Sequence, residues 1–156
     1  MATYTASIRW QRRPDEAFTD QRYSRAHAWH FDGGAVVPGS ASPLHVRPPY
    51  ADASAVDPEE ALVAATSSCH LLWFLYLAAQ DGWQVDAYHD DAAGEMGRDV
   101  QGHEYIQRIT LRPAVRFGSA RQPSAAQLDA LHHRAHEACY IARSLKSEVV
   151  CIAVPA

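Results

Sequence analysis

The sequence predicts an α+β fold, a largely antiparallel sheet with two long helices packed on it, on three observations. Apolar residues alternate with period two in several separate runs, the mark of half-buried strands. Two other segments open with helix-capping chemistry. Strands and helices do not alternate strictly, the order reading βββ, helix, ββ, helix, β. A chain of 156 residues is long enough for one sizeable core, so residues 1–156 are expected to form a single domain.

From Thr3 to Gln11, Tyr4, Ala6, Ile8 and Trp10 alternate with Thr5, Ser7 and Arg9, which predicts a half-buried first strand. A second alternating run, Tyr23 to Phe31, closes on Asp32-Gly33-Gly34, a hairpin-type turn, and a third strand starts at Ala35. Pro38, Pro43, Pro48 and Pro49 then break regular structure and make Gly39 to Ala55 a long irregular segment. Asp57-Pro58-Glu59-Glu60 starts a helix: Asp57 caps, Pro58 suits the first helical position and Glu60 stands three residues after the cap. This central helix, which carries Cys69, should run to about Gln80. Leu62, Ala65, Thr66, Cys69, Leu72, Trp73 and Tyr76 share one face while Leu71, Phe74 and Leu75 lie on the other, predicting burial nearly all round. Asp81-Gly82 ends it. Strands are expected at Gln84 to Met96 and His103 to Phe117, on either side of Gly97 to Gly102. Pro123-Ser124 with Gln127 opens the second long helix, whose stripe is Leu128, Leu131, Ala135, Ala138, Cys139 and Ala142, and Glu148 to Val154 is the last strand.

Lys and Arg number 14 against 18 Asp and Glu, a net charge of −4. There is no basic field for a phosphate backbone, which excludes nucleic acid as the main partner. A hydrophobic fraction of 47% excludes a disordered chain. Met1 to Trp10 lacks an apolar signal core, and the longest apolar run, Leu71 to Ala79, is nine residues, about half of a bilayer span. No membrane partner and a cytoplasmic location are therefore expected. The cysteines, Cys69, Cys139 and Cys151, are odd in number and widely spaced, unlike a disulfide framework. In a reducing compartment a thiol that matters is reactive or metal-bound.

Cys69 and Cys139 each read, alone, as a small buried hydrophobe. On two helices packed against one sheet they can approach each other. Arg25 falls in phase with Tyr23, His27, Trp29 and Phe31, the face expected to turn inward. A guanidinium there needs a carboxylate or an anion, and would lower the pKa of a nearby thiol; a reversed sheet face or a wet edge is the other reading. Glu59 and Glu60 complement the helix macrodipole, and one of them can also hold Arg25. Ten residues separate Glu59 from Cys69, about 15 Å along a straight helix. Glu59 thus reaches the thiol only if the helix breaks, the loop folds back or a second subunit supplies it. A metal reading competes, because His132, His133, His136 and Cys139 have helical spacings of three and four, with His70 beside Cys69. No compact Cys/His signature is present, however, and His132, His133 and Arg134 also read as solvated surface. Cys151, in a β-branched run, reads as packing.

Taken in order, Tyr23-Ser24-Arg25-Ala26-His27, Phe31-Asp32-Gly33-Gly34, Asp57-Pro58-Glu59-Glu60, Ser67-Ser68-Cys69-His70 running into Leu71-Leu72-Trp73-Phe74-Leu75, and Ala135-His136-Glu137-Ala138-Cys139 resemble the OsmC/Ohr family of thiol peroxidases. The resemblance is to OsmC-like members carrying Cys-His. It implies an OsmC-like fold in an intertwined homodimer with active sites near the subunit interface. The implied activity is reduction of organic hydroperoxides, and of hydrogen peroxide as a second candidate, in oxidative-stress defence. It implies no haem, flavin or metal, only an external dithiol reductant. By position Cys69 matches the peroxidatic cysteine, Cys139 the resolving one, Arg25 the arginine that activates the thiolate and Glu59 the acid that orients it. Many relatives have Pro after the second Cys; here Tyr140-Ile141 follow, which predicts a less interrupted helix. Trp73, Phe74 and the Pro-rich segment would supply apolar walls. Two rivals stand beside this reading: a catalytically idle dimeric module, and a metal-binding one using the His132/His136/Cys139 cluster.

Overall fold

Gly34, at φ +86°, turns the first hairpin, its N–H donating to Phe31 O at 3.0 Å. The hairpin joins β2 (His27–Phe31) to β3 (Val36–Gly39), and β1 (Ala6–Arg9) adds to β2 on the other edge, all antiparallel. The computed structural model describes residues 1–118 and 121–156 and divides into two compact units, Met1–Ala61 and Leu62–Ala156. In the first unit the strands are shorter than the alternation predicts. Every residue of β1 is exposed, so it is not the half-buried strand expected. Tyr23 to Ala26 lie outside β2, because the chain there is held by other hydrogen bonds, including Arg25 N–H to Tyr50 O at 2.8 Å. The segment from Ser40 to Asp57 is irregular as expected, and is tied down at Ser40, whose N–H donates to Val56 O and whose hydroxyl accepts from Asp52 N–H, both at 3.0 Å.

Asp57 and Glu60 form the expected reciprocal cap: Glu60 N–H donates to Asp57 Oδ1 at 2.8 Å and Asp57 N–H to Glu60 Oε1 at 3.0 Å. They open α1 (Pro58–Gln80), which runs unbroken for 23 residues into the second unit, and Gly82 follows it at φ +77°. By length and composition this helix is apolar enough to cross a membrane, which its nine-residue run of large apolar groups does not show. It is not buried all round. Thr66, His70, Phe74 and Ala78, spaced by four, form the one buried stripe, while Leu72, Leu75 and Tyr76 are exposed at 64%, 37% and 55%.

In the second unit each of the two long strands expected is split in two. β4 (Val85–Asp90) and β5 (Ala93–Arg98) come from the first, β6 (Glu104–Leu111) and β7 (Pro113–Phe117) from the second. β5 pairs with β6 and β4 with β7, both antiparallel, while β8 (Glu148–Cys151) lies parallel to β6. The ladder is interrupted where Asp90 takes the N–H of Arg112 onto its own carboxylate at 2.6 Å. Ser124 and Gln127 cap α2 (Ala125–Ala138) reciprocally, as predicted, and α3 (Tyr140–Arg143) follows. Phe74, Ala78, Trp83, Leu131 and Ala135 form the core between α1, α2 and the β4–β7 pair, joined by Val85, Tyr88, Val115 and Phe117.

Candidate functional site

The second helix stops at Cys139 although no proline follows. Cys139 is extended, at φ −67° and ψ 109°, and its sulfur accepts the N–H of Ala142 at 3.4 Å, capping α3. The sequence expectation of a less interrupted helix is therefore wrong: a thiol side chain supplies the cap that starts the new helix. That break sets the Cys139 thiol, 1% exposed, beside Cys69, which is half-buried on α1. Burial, and next the hydrogen bond with Cys69, push the Cys139 thiol up to about 11, against the pull of the Ala142 N–H. All three cysteines are free thiols. Beside the pair, the Trp73 ring meets Tyr140 edge-on with centroids 5.5 Å apart. Phe74 is no wall of a site, being fully buried in the core.

Arg25 and Glu59 belong to the Met1–Ala61 unit. Arg25 does not sit among the inward aromatics of a strand. Its guanidinium donates to the carbonyls of Gln21 at 2.7 Å and Tyr23 at 2.6 Å and lies 3.8 Å over the Tyr23 ring. Among the described residues it makes no ion pair with Glu59 or Glu60; Glu60 is taken by the helix cap. Among the described residues, Glu59 Oε2 is buried without a hydrogen-bond partner. Because α1 is unbroken, Glu59 and Cys69 remain about 15 Å apart along its axis.

Sequence reasoning names His70 and His132 as candidate metal ligands but takes Cys151 for packing, and misses that these three come together. His132, for which solvated surface is one of the two readings, is 4% exposed, and His70 is 1% exposed. Their rings are parallel, with His70 Nε2 3.1 Å from His132 Nδ1, and Cys151 Sγ is 3.8 Å from the same His70 nitrogen. Burial lowers both histidines to about 4, and burial with the charges of Asp90 and Asp129 raises Cys151 to about 12. Among the described residues this is the one trio of potential metal ligands whose donor atoms converge, all within 4.8 Å of one another. The expected grouping of His132 and His136 with Cys139 is not formed, since Cys139 turns to Cys69 and His132 to His70. The signal in the sequence was slight: one histidine in the i, i+4 stripe of α1.

Fold and site together define an α+β protein with two free thiols set beside each other on separate helices. The family model described as OsmC-like protein matches residues 51–153, and the chain belongs to this OsmC-like family. The chain is similar to an OsmC-like protein of unknown function from Vibrio cholerae, with 45% identity, TM-score 0.97, and coverage of 99% of this chain and 100% of that one. It shares its fold with the organic hydroperoxide resistance protein OsmC of Legionella pneumophila, at 14% identity, TM-score 0.69 and full coverage of both chains. The organic hydroperoxide resistance protein OhrB of Bacillus subtilis is similar at 18% identity and TM-score 0.61, over 99% of this chain and 100% of that one. No curated protein matches the sequence.

Proposed function

We propose that the protein is a thiol-dependent hydroperoxide reductase, with Cys69 as the attacking and Cys139 as the resolving cysteine. The observation that carries this reading is the pairing of two free thiols from separate helices, Cys69 half-buried on α1 and Cys139 fully buried where α2 breaks, each sensing the other. Cys69 as thiolate attacks the outer oxygen of a hydroperoxide and the O–O bond breaks. The products are a Cys69 sulfenic acid and, after the leaving oxygen takes a proton, an alcohol. The Cys139 sulfur, its proton passing to the departing hydroxyl, then attacks the Cys69 sulfur and expels water, forming the disulfide. A dithiol substrate returns both thiols and leaves as its own disulfide. A resolving thiol is best kept protonated until then, in keeping with the raised value of Cys139.

Organic hydroperoxides are the proposed substrates, in stress defence, a reading supported by the names of the Legionella and Bacillus relatives. The proposal includes a cytoplasmic homodimer with no cofactor in this reaction. It also includes the roles the resemblance gives Arg25, to favour the Cys69 thiolate, and Glu59, to orient that arginine. The unpartnered oxygen of Glu59 is available for such a contact, and the exposed apolar side of α1 for a second subunit. The test is a count of free thiols before and after one equivalent of cumene hydroperoxide. Two thiols per chain should disappear in the wild type and none in Cys69→Ser. Unchanged thiols in the wild type sink the proposal and favour an idle dimeric module.

A further inference from the structure

Three of the four buried side-chain atoms without a hydrogen-bond partner among the described residues are His70 Nδ1, His132 Nε2 and Tyr88 Oη. Two of them surround Cys151: His70 touches it and His132 touches His70. Hydrogen-bonded to each other, two neutral imidazoles satisfy one nitrogen apiece and leave the outer pair buried and unpaired. Such a cluster is costly in a core and needs a reason beyond packing.

We propose that His70 Nε2, His132 Nδ1 and Cys151 Sγ form a binding site for a divalent ion of the zinc class, separate from the Cys69–Cys139 pair. The donor distances fit. With zinc bonds of about 2.0–2.1 Å to nitrogen and 2.3 Å to sulfur, tetrahedral edges are about 3.3 Å between nitrogens and about 3.6 Å from nitrogen to sulfur. The structure has 3.1 and 3.8 Å for the two edges that meet at His70, and the third lies within 4.8 Å. Ligation therefore asks for a shift of a few tenths of an ångström on two edges and closure of the third. Two imidazoles and one thiolate are a borderline-soft donor set, which suits zinc and not magnesium or calcium.

Charge and access agree. Asp129 lines the same cleft as His132 and Cys151, so a cation there meets a carboxylate nearby. His132 and Cys151 line a cleft of about 360 Å³ between α2 and β8, with Asp129 and His136 beside them, giving an ion a way in. Three protein ligands leave a fourth position toward that cleft, for water or a small ligand. Binding exchanges one proton for the ion, the Cys151 thiol losing its hydrogen to solvent as the sulfur–metal bond forms.

The proposal stands apart from the peroxidase reading, and the experiment keeps the two apart. In the Cys69→Ser/Cys139→Ser double variant, Cys151 is the only thiol. Reduced, metal-free double variant is titrated with Co²⁺ and then with Zn²⁺. One equivalent of Co²⁺ should give the intense thiolate-to-cobalt charge-transfer band with tetrahedral visible bands, and Zn²⁺ should remove them. Adding His132→Gln should weaken Co²⁺ binding at least tenfold. Absence of the charge-transfer band in the double variant overturns the site, and so does a band indifferent to His132→Gln. Because Cys151 itself is left intact, a folding defect at that position cannot obscure the result.

Discussion

The sulfur of Cys139, the thiol proposed to resolve Cys69, is also the N-cap of α3, receiving the Ala142 N–H at 3.4 Å. Resolution and helix initiation thus share one atom. Cys139→Ala removes the acceptor and leaves a small void at a fully buried position, and should cost about 1–2 kcal/mol in urea unfolding. Cys139→Ser keeps an acceptor of similar size and should cost about half as much. Equal midpoints for Ala and wild type would show that the cap contributes nothing.

The same environment sets a pH dependence. The Cys139 thiol is raised from 9.0 to about 11, so the fold favours its protonated form. A group whose folded pKa is raised contributes stability that is complete below the unfolded value and is lost as pH rises through the folded one. Here the window is pH 9 to about 11, the contribution falling across it. Site-resolved alkylation of the reduced protein should find Cys139 nearly inert at pH 8 and reactive with a midpoint near 11. A midpoint at or below 9 would contradict the buried setting of this thiol.

If Cys139 resolves, its loss should trap the intermediate. Cys139→Ser treated with one equivalent of organic hydroperoxide should release one equivalent of alcohol, lose one thiol per chain and take up dimedone at Cys69. Mass spectrometry of the Cys69 peptide reads this directly. Dimedone uptake equal to that of wild type, which should form the disulfide instead, would remove Cys139 from the resolving role.

What the sequence carried was local. The caps at Asp57 and Ser124 and the turn at Asp32-Gly33-Gly34 depend on side chains within three residues of the backbone they bind, so spacing reveals them. The resemblance to the OsmC/Ohr family, and with it the fold, was legible from short ordered motifs. What the sequence hid depends on contacts far along the chain. His70 meets Cys151 across 81 residues, and Asp90 breaks the sheet by capturing an N–H 22 residues away. The buried face of α1 was misjudged because apolar residues surround that helix, and only the position of β4, β7 and α2 decides which stripe is covered. Arg25 was misplaced for a different reason: its guanidinium satisfies itself on nearby carbonyls, which alternation cannot foresee.

Asp90 joins α1 to the sheet break. One carboxylate oxygen accepts the Ser67 hydroxyl at 2.5 Å and the other the Arg112 N–H at 2.6 Å. Hydrogen bonds to a charged acceptor contribute about 1.5–3 kcal/mol each. Asp90→Ala should therefore lower stability by about 2–4 kcal/mol, and Asp90→Asn, which keeps one acceptor, by roughly half of that. An unchanged urea midpoint in Asp90→Ala would mean that water replaces both contacts at no loss.

Leu72, Leu75 and Tyr76 lie three and four residues apart and form an exposed apolar patch on α1. Fully burying each of two such side chains would contribute about 1.5–3 kcal/mol, enough to matter in a dimer and enough to threaten solubility if left bare. In the proposed homodimer this patch is covered by the second subunit. Sedimentation equilibrium at micromolar protein should give twice the chain mass of 17.2 kDa. Leu72→Glu with Tyr76→Glu places charge at two of the three positions and should weaken association at least a hundredfold while preserving the helix, since Glu is a good helix former. Wild-type protein that sediments as a monomer would remove the dimer. A variant that stays dimeric would place the interface elsewhere on the chain.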